Sequence, residues 1–314
     1  MSGHAISDLA AIRGGGKRTL AEALARIEAG LDTDQVAGLL DQAFAQPKGI
    51  SLGLTGPPGV GKSTLIDAFI RAWRATGKTI AVIAVDPSSA RSKGALLGDR
   101  TRLTTDPADQ GIFVRSMAAR DALGGVAEIT FPAMVLMRAL YDLVVVETVG
   151  IGQSEIEIHE ITDLTAYCAQ PGSGDALQYM KAGVMEIPDL VVVTKADLGA
   201  IAARTASDLK GALSLTAGEG KPLPVLSCSA ATGDGIDTLI HEICTQAAQF
   251  SPHADRRRME QVIRWGQRQI GVRFGRMGLD LVHRSGVEKP TDSPFSCNLQ
   301  RIRRLFDAYT MAFE

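Results

Sequence analysis

A glycine-rich run, GPPGVGKST at residues 56–64, constrains the fold of this chain more than any other stretch. It matches G-x-x-x-x-G-K-[ST], with an apolar run before it at residues 50–54 and a helix-forming run after it at residues 62–76. Glycines let the backbone curl until successive N–H groups face one point, and a helix N-terminus adds partial positive charge there. The order strand, turn, helix therefore predicts a cradle for the phosphates of a nucleoside triphosphate.

Two side chains of this run have defined expected roles. We expect Lys62 to contact the β- and γ-phosphates and the hydroxyl of Ser63 to ligate Mg²⁺. The alternative is a glycine-rich strand–helix turn that binds no ligand. The flanking strand and helix patterns favour the phosphate cradle.

Apolar, β-branched runs alternate with helical stretches from residue 50 to about residue 249. The runs lie at residues 79–85, 112–114, 143–147, 164–168, 190–193 and 223–226. Because these runs are continuously apolar, they predict strands buried on both faces, in a mostly parallel sheet with helices on each side. Ligands of such sheets bind beyond the carboxyl ends of the strands. The residues that follow each run are therefore candidate site residues.

Acidic residues stand at two of these strand ends. Asp86 follows residues 79–85 and is suited to hold Mg²⁺ or its waters, although a turn or helix-capping role is an alternative. Glu147 and Gly150 occupy the place of the acidic residue near Mg²⁺ and of the glycine that senses the γ-phosphate. Ile151 stands where many GTPases have a water-positioning glutamine, so a catalytic role for Gln153 stays open.

The tetrapeptide TKAD at residues 194–197 indicates which base is bound. It matches [NT]-K-x-D, in which the carboxylate, here Asp197, can accept both N1–H and N2–H of guanine. Adenine cannot match that pattern, so the motif favours GTP over ATP. Ser229 and Ala230 follow the next apolar run, and we expect a backbone N–H near Ala230 to meet guanine O6.

The segments outside this region have helical patterns. Residues 1–49 predict two helices broken near Gly30, with Thr33 or Asp34 capping the second; they could pack as core or form a partner-binding arm. Beyond residue 250, a basic helical stretch opens at Arg256, a loop is predicted at residues 285–296, and a helix at residues 299–313. The basic stretch could be a solvated face or a docking patch. We predict an N-terminal helical arm (1–49), a P-loop domain (50–249) and a C-terminal helical arm (250–314).

Composition excludes several classes of protein. A net charge of −2 gives no bulk reason to expect nucleic acid or an anionic membrane as a partner. The four cysteines are scattered without a C-x-x-C pair, so neither a disulfide framework nor a zinc knuckle is expected, and a reducing cytoplasm fits. No apolar run approaches the ~20 residues of a membrane span, and we expect no export.

Several segments together resemble the MeaB/ArgK/MMAA family of P-loop GTPases, which are chaperones of adenosylcobalamin-dependent acyl-CoA mutases. They are GPPGVGKST, VDPSSARSKGALLGDRTRL (85–103), VETVGIGQSE (146–155), PGSGDALQYMKAGVMEIPDL (171–190) and TKAD. Residues 16–28 also resemble the N-terminal helical arm of the family. The C-terminal helices correspond in position to its dimerisation arm.

The resemblance implies roles for individual residues. The implied catalytic residues are Lys62, Asp86, Asp99, Glu147 and Gly150, and the implied metal ligands are Ser63, Asp86 and Glu147. The implied nucleotide-binding residues are Gly56, Pro58, Gly59, Val60, Gly61, Lys62, Ser63, Thr64, Thr194, Lys195, Asp197, Ser229 and Ala230. The implied switch residues that couple to a partner are Gln153, Asp175 and Lys181. Thr194 replaces the asparagine that is more usual in the family. Tyr179, Met180 and Ala182 replace other residues in the third switch.

The resemblance implies a GTPase that uses GTP and Mg²⁺, forms a homodimer, and gates cobalamin loading into an acyl-CoA mutase that it also protects. One alternative is a nickel-insertion GTPase of the same superfamily, which needs a metal-ligand cluster near the switches; the five histidines are dispersed. Another is a nucleotide-driven kinase or transport ATPase, against which TKAD argues. The chain is not itself a mutase, because it has no D-x-H-x-x-G cobalamin motif.

Overall fold

The computed structural model describes residues 8–87, 105–119, 127–148, 154–172, 188–216, 223–284 and 292–311. The chain falls into two compact units. The sheet unit comprises Ile50–Arg120 and Tyr141–Pro252, and the helical unit comprises Met1–Gly49, Asp121–Leu140 and His253–Glu314.

The elements of the described residues follow one another in the order that the apolar runs predict. The strands are β1 (Ile50–Thr55), β2 (Ile80–Pro87), β3 (Ile112–Ala119), β4 (Leu143–Glu147), β5 (Leu164–Ala169), β6 (Leu190–Val193) and β7 (Val225–Ser227). The α-helices are α1 (Leu9–Ala29), α2 (Asp34–Ala45), α3 (Lys62–Ala75), α4 (Ala127–Arg138), α5 (Ser154–Ile161), α6 (Ala200–Thr216), α7 (Ile236–Phe250), α8 (Ala254–Arg284) and α9 (Pro294–Met311).

The seven described strands form one parallel sheet in the order β3-β2-β4-β1-β5-β6-β7. Side chains of β5 and β6 enter two cores in alternation. On β6, Val192 packs in a core with α3 and α7, whereas Val191 and Val193 pack against α6. Burial on both faces explains why these strands are continuously apolar in sequence. The α/β fold with helices on both faces is confirmed.

The register of the central strands brings three carboxyl ends together. Glu147 at the end of β4 pairs with Leu54 of β1 and with Ala84 of β2. The loop that leaves β1 therefore begins beside the ends of β2 and β4. This is the edge of the sheet where the phosphate cradle is predicted.

The helical unit contains α1, α2, α4, α8 and α9. Its core includes a cluster of rings in which Phe295 lies 6.2 Å from Phe131 and 5.3 Å from Trp265 between ring centroids. Thr33 caps α2, because its side chain accepts a hydrogen bond from the Val36 amide. The predicted break near Gly30 is confirmed.

The loop predicted at residues 285–296 was wrong at its end, because α9 begins at Pro294. Asp41 of α2 causes the early start, since its carboxylate accepts hydrogen bonds from the amides of Phe295 (2.8 Å) and Ser296 (3.1 Å). Proline is favoured in the first turn of a helix, where its missing N–H is not needed. The cap comes from a residue more than 250 positions earlier in the chain, so local sequence does not reveal it.

No helix in the described ranges is both long enough and apolar enough to cross a membrane. The four cysteines are all free thiols.

Candidate functional site

The loop between β1 and α3 has the backbone that a phosphate cradle requires. Gly56, Gly59 and Gly61 have φ angles of 137°, 77° and 101°, which side-chain-bearing residues rarely adopt. At Gly56 a side chain would also run into the carbonyl oxygen of Cys168 on β5. The loop is therefore pressed against the neighbouring strand at a point where only glycine fits.

Lys62 opens α3 and is only 7% exposed. Its Nζ donates hydrogen bonds to the carbonyl oxygens of Gly56 (2.7 Å) and Pro57 (3.2 Å). The side chain thus folds back over the loop and holds its ammonium group at the cradle. An ammonium there is a compact charge that phosphate oxygens can approach.

Ser63 and Glu147 lie side by side beyond the strand ends. The Ser63 hydroxyl donates a hydrogen bond of 2.8 Å to Oε1 of Glu147. Within the described ranges, no group of three or more His, Cys, Asp or Glu residues is arranged to hold a metal ion. Mg²⁺ commonly takes only one or two carboxylates from the protein and completes its shell with phosphate oxygens and water. The hydroxyl and carboxylate oxygens of this pair fit such an ion.

A cavity of about 590 Å³ lies over these residues, a volume typical of small-ligand sites. It is lined by the cradle, the first turns of α3 and the ends of β2 and β4: Pro58, Gly59, Gly61, Lys62, Ser63, Thr64, Asp67, Ala84, Val85, Glu147 and Thr148. Asp67 is a lining residue that the motifs did not identify. Its spacing of four residues from Ser63 was the available signal, because that spacing places two side chains on one helix face.

The TKAD turn is bonded to the cradle. Thr194 is buried, and its Oγ1 donates to the carbonyl oxygen of Val60 at 2.7 Å. Lys195 has a left-handed backbone (φ 53°), and its Nζ donates to the carbonyl oxygen of Gly59 at 3.1 Å. The segment expected to select the base and the segment expected to hold the phosphates are thus joined by two hydrogen bonds.

Asp197 is exposed at the edge of this turn, with one oxygen already fixed. Its Oδ1 accepts a hydrogen bond of 2.6 Å from the hydroxyl of Ser229, which is fully buried. The Ser229 hydroxyl in turn accepts from the Thr232 amide at 3.2 Å. Ala230 follows directly and is half-buried. The residues expected to read guanine are therefore brought together, and Ser229 orients the Asp197 carboxylate.

Two buried thiols of the sheet unit, Cys168 and Cys228, are unreactive at neutral pH. Burial raises the pKa of Cys168 to about 12 and that of Cys228 to about 12. Both are therefore protonated at neutral pH. A thiol in that state is a poor nucleophile and a poor metal ligand.

Some expected site residues cannot be compared with the structure. Asp86 lies near the carboxyl end of β2, but its side chain is outside the described part. Asp99, Gly150, Gln153, Asp175 and Lys181 also lie outside the described residues.

A protein-family model described as "Methylmalonyl Co-A mutase-associated GTPase MeaB" matches residues 20–274. The chain belongs to the MeaB family of GTPases. It is accordingly a P-loop enzyme that hydrolyses GTP, and the resemblance of the motifs is confirmed.

Individual relatives agree with this membership. GTPase ArgK of Escherichia coli is 36% identical over 269 residues, covering 82% of this chain and 81% of that protein. A mouse protein, "Methylmalonic aciduria type A homolog, mitochondrial", is 38% identical over 225 residues, covering 70% of this chain and 53% of the mouse protein. A solved structure of a "LAO/AO transport system kinase" is 27% identical, with a TM-score of 0.64 and coverage of 95% of this chain and 96% of that one.

Proposed function

We propose that this GTPase is a chaperone of an adenosylcobalamin-dependent acyl-CoA mutase, either methylmalonyl-CoA mutase or a close relative. It gates the loading of cobalamin into the mutase and protects or reactivates that enzyme. The observation that carries the proposal is the family match over residues 20–274, because the description of that family names association with methylmalonyl-CoA mutase.

The phosphate end of the site supports the GTP-driven part of the proposal. Lys62 neutralises charge on the β- and γ-phosphates, and the curled backbone from Gly56 to Thr64 donates N–H groups to their oxygens. Ser63 and Glu147, with Asp86 at the end of β2, hold Mg²⁺. When bound, that ion offsets the negative charge that develops on the phosphates during hydrolysis.

The base end selects guanine. Asp197, held by Ser229 at 2.6 Å, accepts N1–H and N2–H, while the backbone near Ala230 donates to O6. Adenine would leave these groups unpaired, which is a basis for rejection. The hydrogen bonds of Thr194 and Lys195 hold this base-binding turn against the cradle.

The partner completes the catalytic site. Ile151 cannot orient a water molecule, so hydrolysis is slow until the mutase orders the switch segments at residues 150–155 and 172–181. Gln153, Asp175 and Lys181 carry that coupling, and Asp99 belongs to the first switch. The chain acts as a cytoplasmic homodimer through its C-terminal helical arm at residues 250–314. Because the nucleotide controls the state of the switches, the GTP and GDP forms of the chain differ in their affinity for the mutase.

The test measures GTP turnover of the full chain alone and with the methylmalonyl-CoA mutase of the same organism. We expect the mutase to stimulate turnover by more than about tenfold, since partner-completed GTPases gain far more than that. Lys181→Ala should reduce the stimulation, while its hydrolysis without mutase and its GDP affinity stay as in the wild type. Lys210→Ala, an exposed lysine of α6, is the matched control and should be stimulated normally.

Turnover that is fast alone and unaffected by any acyl-CoA mutase would refute the chaperone proposal. Equal stimulation of wild type and Lys181→Ala would refute only the role of that lysine. Pull-down of the mutase in GTP-analogue and GDP forms gives an independent measure of the nucleotide-dependent affinity.

A further inference from the structure

Asp67 lies one helical turn beyond Ser63 on α3, on the same face of the helix. Its side chain is only 13% exposed, and it lines the same cavity as Ser63 and Glu147. None of the sequence motifs includes Asp67. A carboxylate thus stands inside a cavity that otherwise has the features of a polyphosphate site.

The neighbouring strand ends line the same cavity as this carboxylate. Ala84 of β2 is in register with Glu147 of β4, and both Ala84 and Val85 line the cavity together with Asp67. Asp67 therefore shares one cavity with the hydrogen-bonded pair Ser63 and Glu147, which fits a magnesium ion.

The charges in this cavity indicate what Asp67 contacts. Asp67 and Glu147 place two carboxylates in one cavity with the ammonium of Lys62, so a polyphosphate bound there needs a further cation. Arg71, one turn further along α3, pairs with Asp67, but its side chain is 60% exposed, and an ion pair at that exposure contributes little. Mg²⁺ keeps several of its waters when it binds to proteins, and these waters need hydrogen-bond acceptors.

We propose that Asp67 is a positioning residue for the magnesium ion of this site. Its carboxylate accepts hydrogen bonds from water molecules of an ion that is bound directly by Ser63 and Glu147. This inference rests on the magnesium site of the proposed function and adds to it a residue that acts through water. Arg71 limits the rotation of the carboxylate from the solvent side.

A second Asp–Arg pair on the molecule provides a matched control. Arg204 and Asp208 are also four residues apart on one helix, α6, with side chains 86% and 54% exposed. Neither lines the cavity. Asp208→Asn therefore makes the same chemical change as Asp67→Asn in an ion pair that has no access to the site.

The experiment measures the release rate of a fluorescent GDP analogue from the full chain as a function of Mg²⁺ concentration. For Asp67→Asn we expect the Mg²⁺ concentration that half-maximally slows release to rise about tenfold, because loss of an outer-shell partner typically costs 10- to 100-fold in metal affinity. In EDTA the variant should bind the analogue at least as tightly as the wild type, since a negative charge has been removed. Asp208→Asn should match the wild type in both measurements.

Arg71→Gln tests whether Asp67 acts on the metal or only through its ion pair. We expect this variant to change the Mg²⁺ concentration that half-maximally slows release by less than about threefold. An equal shift in Arg71→Gln and Asp67→Asn would overturn the inference, as would a wild-type curve for Asp67→Asn. If the release rate of the wild-type protein does not depend on Mg²⁺ concentration, both the magnesium site and the role of Asp67 are refuted. The mutase stimulation described above is measured separately.

Discussion

The hydroxyl of Thr194 donates a 2.7 Å hydrogen bond to the carbonyl oxygen of Val60, and this bond ties the TKAD turn to the glycine-rich loop. Both residues are buried. The same hydroxyl lies 3.3 Å from the carbonyl oxygen of Ala169 at the end of β5. The two ends of the proposed nucleotide site therefore share one anchor in the core of the sheet unit.

Replacing Thr194 with valine should weaken both the fold and the nucleotide site. The shape is nearly conserved, but the buried carbonyl oxygen of Val60 loses this donor, which costs about 1–3 kcal/mol. We expect a loss of that size in the free energy of unfolding, measured by urea titration, and weaker GDP binding by calorimetry. Thr194→Ser, which keeps the hydroxyl, should recover most of both losses.

The control for this change is Thr245→Val on α7. The Thr245 hydroxyl donates to the carbonyl oxygen of His241, one turn back, at an exposed position. Its loss should change stability by less than about 0.5 kcal/mol. The anchoring role would be contradicted if Thr194→Val matched this control in its free energy of unfolding and in its GDP affinity.

Replacing Ser229 with alanine should weaken base recognition. The Asp197 carboxylate loses its 2.6 Å partner and must be oriented by the ligand alone. We expect GDP affinity to fall by about tenfold, which corresponds to roughly 1.4 kcal/mol. ADP affinity should change little. Ser214→Ala, which removes a hydroxyl bonded to Gly211 on α6, should leave the affinities for GDP and ADP unchanged.

Asp197→Asn should move the base preference from guanine toward xanthine, which presents an acceptor where guanine has its amino group. The asparagine amide can donate to that acceptor, whereas a carboxylate cannot. Competition of GDP and xanthosine diphosphate for the variant measures the change. An unchanged preference for guanine would show that another residue reads the base.

Lys62→Ala should abolish hydrolysis without unfolding the protein. The ammonium group bonds to loop carbonyls at the cradle, so its removal takes away ligand charge while the core packing remains. Loss of one group that stabilises a developing anion typically costs about 10²–10³ in rate. Phosphate release reports the rate, and circular dichroism reports the fold; a variant that hydrolyses GTP normally would contradict the cradle assignment.

Asp41 should make the stability of the protein depend on pH in a specific direction. Burial raises the pKa of the Asp41 carboxyl above its usual value, although the bonds from Ser296 and Phe295 oppose that rise. The folded state then holds this proton more tightly than the unfolded state does. The stability contribution of Asp41 is thus fully present below the ordinary carboxyl pKa of about 4 and is lost as pH rises through the folded value.

Asp41→Asn isolates this effect because asparagine does not titrate and can still accept one amide bond of α9. We expect the difference in unfolding free energy between wild type and Asp41→Asn to shift in favour of the variant as pH rises above about 4. Asp41→Ala, which removes both acceptors, should be less stable than the wild type by about 1–2 kcal/mol. Urea titrations at several pH values test both; a constant difference between wild type and Asp41→Asn would disprove the raised pKa.

The parts of the fold that follow from local burial could be predicted closely. β4 and β6 match their predicted runs residue for residue, because strands buried on both faces are apolar along almost their whole length. β3 extends to Ala119, well past its run at residues 112–114. It lies at the edge of the sheet, where its backbone pairs with β2 whatever the side chains are. Pairing, not hydrophobicity, sets its length.

The motifs identified the cradle and the TKAD turn because each depends on a few adjacent residues. The contacts that join them, such as Lys195 to Gly59, link positions 136 residues apart, and no local pattern encodes such a pairing. Asp67 was missed for a different reason. An acidic residue one turn away from an arginine is common on helices. The spacing of Asp67 from Ser63 was therefore a weak signal, and the cavity is what distinguishes this residue.

The strand order predicts which end of a bound nucleotide dissociates first. The cradle follows β1, which has neighbours on both sides in the middle of the sheet, whereas Ser229 and Ala230 follow β7, a three-residue strand at its border. Opening fluctuations start where the fewest hydrogen bonds must break. Amide exchange should therefore be faster at β7 than at β1, and the guanine end should be released before the phosphates, so that departure of the nucleotide begins at its base.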